Sequence, residues 1–198
     1  MTRILNWLIA IAFTLVPAAA SAHVGVGDTN GFVHGFSHPL SGLDHILAMV
    51  AVGLFAVRLG GRALWLVPLT FVSVVAVAGV LGMAGVGLPY VEIGIGISVI
   101  VLGTAIALQL NIPTLAAMGL VGFFAIFHGH AHGVEMPESA SGFVYGVGFV
   151  CATALLLAVG IGFGLIIGYA GQTFGRRIVQ VGGGAMAIAG VAVLAGIM

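Results

Sequence analysis

The chain alternates long apolar runs with brief polar punctuation. After a short apolar start, the runs cover residues 39–57, 63–83, 90–108, 113–127, 143–169 and 178–198. Each is long enough, or nearly so, to cross about 30 Å of hydrocarbon as a helix. Short polar or Gly/Pro segments separate them, at 58–62, 85–89, 109–113, 128–142 and 172–177. An open sheet leaves backbone groups unsatisfied in lipid, so the pattern predicts an all-α fold. The expected architecture is a polytopic bundle of about six transmembrane helices.

The start differs from the later runs. Arg3 precedes a short apolar core over residues 5–16, Pro17 ends it, and Ala20 and Ala22 are small residues flanking Ser21. Those are the parts of a secretory signal peptide cleaved after Ala22. The expected organisation is a signal at 1–22 and one transmembrane domain over 23–198. The alternative is an uncleaved first helix, against which the short apolar core argues.

Composition changes the picture by exclusion. Of 198 residues, 61% are hydrophobic and 5% charged, whereas a soluble domain is normally about one quarter charged. Soluble catalysis, disorder and nucleic-acid binding are excluded on that basis. Most of the 33 glycines lie within apolar runs, where small residues let helices approach closely. Such faces permit a homo-oligomer without requiring one. The single cysteine, Cys151, has no intramolecular partner.

Charge supplies orientation. Arg58 and Arg62 follow the first mature run, and Arg176 and Arg177 follow the fifth. The positive-inside rule places both loops in the cytoplasm. With six helices, both mature termini then lie outside, as an exported N-terminus requires. The expected location is the bacterial cytoplasmic (inner) membrane. Every acid and histidine of the mature chain falls in the outer half or beyond it, and every arginine inside.

Two motifs stand in that outer half. In the first, His38-Pro-Leu-Ser-Gly-Leu-Asp44-His45, the two histidines are seven residues apart. On one continuous helix they share a face, with Asp44 beside it and Met49 one turn below. In the second, His128-Gly-His-Ala-His132-Gly-Val-Glu135, steps of four and three residues put His128, His132 and Glu135 on one face. Gly129 and Gly133 weaken that helix, so the segment is open to unwinding. Such spacings of imidazole and carboxylate suit nickel, cobalt or zinc better than copper(I). Glu92 opens the third run, and an acid in a span is a functional candidate by default. The candidate metal-ligating set is His38, Asp44, His45, Glu92, His128, His132 and Glu135. Met49 and Phe71 read as packing residues, Glu138 as a solvated charge, and His130 as turned away from the ligand face. His23 and His34 are open between ion capture and no role.

At these residues the chain resembles the HupE/UreJ family, whose members accompany hydrogenase and urease gene clusters. The His-Pro-x-x-Gly-x-Asp-His pattern at 38–45, the His128-Gly-x-Ala-His132-Gly-x-Glu135 pattern and Glu92 carry the resemblance, which runs the whole chain. It departs at Ile93, where relatives often have proline. The resemblance implies permeation of nickel, or sometimes cobalt, and a functional link to hydrogenase or urease maturation proteins. It also implies that His38, Asp44, Glu92, His132 and Glu135 matter for transport.

The expected function is therefore uptake of Ni2+ or Co2+ as the transported ion, with no tightly bound cofactor. In the expected path His128, His132 and Glu135 capture the ion outside. They hand it to a deeper group of His38, Asp44, His45 and Glu92. No nucleotide-binding motif and no HExxH is present, so enzymatic activity is not expected. The alternatives are an intramembrane zinc hydrolase and a periplasmic metal sensor or storage subunit.

Overall fold

The structure is a computed structural model that describes residues 30–169 and 171–197. The expected signal peptide, its cleavage site and His23 lie outside the described residues. Within them the chain is all-helical, with seven helices and no strand. They are α1 (Asn30–Ser41), α2 (Leu43–Leu59), α3 (Ala63–Met83), α4 (Val91–Ala107), α5 (Thr114–Val134), α6 (Gly142–Tyr169) and α7 (Gln172–Leu194).

Each apolar run from residue 39 onward folds largely as helix, but span length is less uniform than the runs suggest. Helices α3, α5, α6 and α7 are long and apolar enough to cross a membrane, and α1 with α2 qualifies as a fifth, broken span. Helices α2 and α4 have 17 residues each, about 26 Å at 1.5 Å per residue. The chain is a membrane protein with four to five candidate spans among the described residues, where six were expected. Its outer surface agrees. Trp65, Leu115, Ile166, Val181 and Ile188 are all exposed, an apolar exterior suited to lipid rather than water.

The broken span corrects the first motif. Residues 39–57 are not one helix. Gly42 is extended, at φ −98° and ψ 120°, and the two segments meet at 82°. A Cβ on Gly42 would stand 2.8 Å from Asp44 Oδ1 and 3.0 Å from His45 Nδ1. Glycine at the break lets these two side chains fold back over it. His38 and His45 therefore lie on different helices, and helical periodicity does not relate them.

The second correction concerns α5. It does not unwind at Gly129 and Gly133 but continues to Val134. The glycines serve packing instead. A Cβ at Gly129 would collide with the Val75 carbonyl oxygen, and one at Gly133 with that of Gly79. Helices α3 and α5 thus meet backbone to backbone over the histidine segment, the small-residue packing used within membranes. Elsewhere α6 packs along α1 and α2, α4 packs on α7, and α2 touches α3, α4 and α6. Met49, Phe55, Phe71, Val75, Leu102 and Phe149 fill the core between them.

Candidate metal-ion site

The antiparallel course of the helices sorts the ionisable groups by end. The end of α2 meets the end of α4, where the Arg58 guanidinium donates to the Gln109 carbonyl at 2.9 Å. The start of α2 and the end of α5 meet at the opposite end, where the histidines gather.

Two helix termini and one turn bring the mouth of the site together. His38, near the end of α1, pairs through Nε2 with Glu135 Oε2 at 2.6 Å, and their side chains are 30% and 51% exposed. Glu135 caps α5, its N–H donating to the Ala131 carbonyl. The ligand atoms of His38, Glu135 and the buried His132 all lie within 4.8 Å of one another. This is the only such group among the described residues.

From that mouth a file of imidazoles leads inward. The ring centroid of His132 is 4.9 Å from that of His38 and 4.4 Å from that of His45. His45 in turn lies 4.9 Å from His128. Phe149 flanks His132 at 4.4 Å and Phe71 flanks His128 at 5.9 Å. The Tyr145 hydroxyl donates to the His132 carbonyl at 3.0 Å, which fixes the backbone beneath the ring.

Hydrogen bonds set which nitrogen of each ring is bare. Asp44 Oδ1 accepts from the His45 backbone N–H and from Nδ1–H, both at 2.9 Å. A carboxylate only accepts, so Nδ1 carries the proton and Nε2 presents a lone pair. Ser98 does the same for His128. Its hydroxyl proton goes to the Ile95 carbonyl at 2.6 Å, so the 2.9 Å contact with His128 Nε2 takes the proton from the imidazole. His128 Nδ1 is left as the lone pair. His45 Nε2, His128 Nδ1 and both nitrogens of His132 are buried without a hydrogen-bond partner among the described residues. Leaving one buried polar group unsatisfied costs about 1–3 kcal/mol. Four in one file, two of them with the other nitrogen held by an oxygen, form the arrangement typical of histidine metal ligands.

The order differs from the expected one. His38 was placed deep and His128 at the entrance. Instead the bend at Gly42 leaves His38 at the exposed mouth. The unbroken α5 puts His128 a turn below His132, where it is the most buried ring. Glu92 does not join the group: it is exposed in the first turn of α4. His130 is buried but faces away, and its Nε2–H donates to the Val86 carbonyl at 2.6 Å. It ties the α3–α4 connection to α5. His34 and Glu138 are exposed and separate, and Met49 is wholly buried in the core.

Ser98 is the residue that the sequence did not single out. A lone serine among Gly, Ile and Val in a span gives little signal until its partner is known. Ser98→Ala removes the acceptor for His128 Nε2–H and frees that ring to change tautomer. Nickel affinity of the purified protein, measured by calorimetry, is expected to fall about tenfold, and Ser98→Thr to restore it. Unchanged affinity in Ser98→Ala would remove this role.

With this geometry in view, the comparisons with known proteins become informative. The profile of the HupE / UreJ protein family matches residues 11–193. The chain belongs to the HupE/UreJ family. It is 47% identical over 196 residues to Protein HupE of Rhizobium leguminosarum bv. viciae, across 98% of each chain. No solved structure matches it. In this HupE/UreJ protein the two histidine motifs, 83 residues apart from His45 to His128, converge on one file of rings.

Proposed function

We propose that the chain carries a divalent transition-metal ion, nickel or cobalt, across the cytoplasmic membrane into the cell. The ion is cargo, and the chain acts as a permease rather than an enzyme. The observation that carries this is the imidazole file, with its bare nitrogens, running from an exposed mouth to a buried end. Family membership points the same way, toward supply of metal for hydrogenase or urease maturation.

His38 and Glu135 exchange their mutual contact for the arriving ion, and Glu135 offsets its charge. His132 receives the ion and stands against both His38 and His45, so it is the hinge of the transfer. His45, held by Asp44, and His128, held by Ser98, take it further in. Neutral imidazoles bind borderline divalent ions well. Several neighbouring sites allow ligands to be exchanged one at a time, so that entry is favourable and release remains fast. Beyond His128 toward the arginine end, no histidine or carboxylate occurs among the described residues. The exit is then aqueous or conformationally gated rather than a ladder of ligands.

The test is nickel accumulation in cells expressing the chain. His38→Ala removes one of three groups at the mouth and is expected to reduce uptake at low external nickel by about tenfold or more. Normal uptake with normal expression would refute the assignment of the mouth.

A further inference from the structure

A second site stands at the opposite end of the bundle. There the ends of α2, α4 and α6 and the start of α7 enclose an open cavity of about 550 Å³. Arg58, Arg176 and Arg177, three of the chain's five basic residues, line it, and no carboxylate does. Arg58 is anchored through one terminal nitrogen on the Gln109 carbonyl, while its Nε is buried without a partner among the described residues. Gly171 and Thr173 also line the cavity, which places the start of α7 at its wall. That start has no side-chain cap and no acid in its first turn. Its first N–H groups have no intrahelical partner, and the helix dipole adds partial positive charge there.

Such a wall calls for a polyvalent oxyanion, since guanidinium forks and helix N-termini both match phosphate oxygens. The rest of the lining decides which kind. Leu54, Val57, Ile167 and Val179 share the cavity with the arginines. An inorganic ion gains nothing from aliphatic side chains, whereas an amphiphile gains from both. The location at the ends of membrane-crossing helices supplies that amphiphile directly, and basic pockets between such helices are where anionic headgroups bind.

We propose that this cavity binds the phosphodiester headgroup of an anionic phospholipid, with its glycerol and upper chains against the aliphatic wall. It ties α7 to α2 at the point where Arg58 reaches across to α4. The site is independent of metal transport, and its test does not depend on flux.

The experiment uses the purified full chain in detergent, titrated with short-chain phosphatidylglycerol, phosphatidylcholine or inorganic phosphate and followed by native mass spectrometry. Phosphatidylglycerol is expected to bind well ahead of phosphatidylcholine, whose choline charge opposes the arginines. The double variant Arg176→Gln/Arg177→Gln is expected to weaken phosphatidylglycerol binding about thirtyfold. Arg62→Gln, outside the cavity, leaves it unchanged. If the double variant does not fold, Arg58→Lys keeps the charge, loses the Nε donor and is expected to weaken binding as well. Equal binding of the two lipids, or undiminished binding in the cavity variants, overturns the proposal. Displacement of phosphatidylglycerol by equimolar inorganic phosphate also overturns it, in favour of a free phosphate site.

Discussion

His132→Ala is expected to abolish nickel accumulation, reducing it to the level of cells that lack the chain. No other ring of the file touches two imidazoles from two different helices. His132 contacts His38 at 4.9 Å and His45 at 4.4 Å, so its loss cuts the mouth from the interior. It also belongs to the one three-residue group among the described residues with ligand atoms inside 4.8 Å. The effect on nickel affinity is expected to exceed about a hundredfold, beyond the range for losing an outer partner. Truncation also opens space against Phe149, which destabilises the bundle on its own account. His132→Phe refills that space without supplying a nitrogen and separates the two effects. Radioactive nickel uptake at matched membrane levels checks both variants. If His132→Phe retained uptake, the file would not be the path.

Asp44→Asn is expected to have the second-largest effect, a loss of about 10–100-fold in nickel affinity with little change in stability. The substitution keeps the shape of the side chain and removes its charge. Asp44 now accepts two hydrogen bonds from His45, at 2.9 Å each. A carboxylate permits only the Nδ1–H tautomer, which leaves Nε2 bare toward His132 and His128. An amide offers an N–H as well as a carbonyl and so admits the opposite tautomer, with its proton pointing into the file. Calorimetric titration of purified protein measures the change, and thermal unfolding shows that the fold persists. An unchanged affinity would mean that His45 does not bind the ion through Nε2.

The chemistry was more legible in the sequence than its geometry. Apolar runs located the helices closely: residues 63–83 match α3 from end to end. Composition forces that result, because ten charged residues in 198 leave little else for the runs to be. The histidine motifs stood out because ionisable groups in lipid are expensive and are kept for a reason. The order of the ligands was not legible. It depends on an 82° bend at Gly42 and on two glycines that stay helical. Local propensity treats Gly42, Gly129 and Gly133 alike, as weak points. Tertiary contact distinguishes them: Gly42 makes room for Asp44 and His45, whereas Gly129 and Gly133 admit the backbone of α3. Glu92 shows the converse. Its place at the start of α4 suggested the site, but whether a first-turn residue faces the bundle is set by how the helix is rotated against its neighbours. Ser98 became visible only once its contact with His128 was known.

Transport as proposed requires that this chain alone pass a divalent metal ion through the imidazole file. The most direct measurement is flux into liposomes that contain the purified protein and an entrapped nickel-sensitive dye. Dye response is expected with the parent chain and none with His132→Phe. Binding of nickel to the parent without any flux would contradict it and would favour a sensor or storage protein.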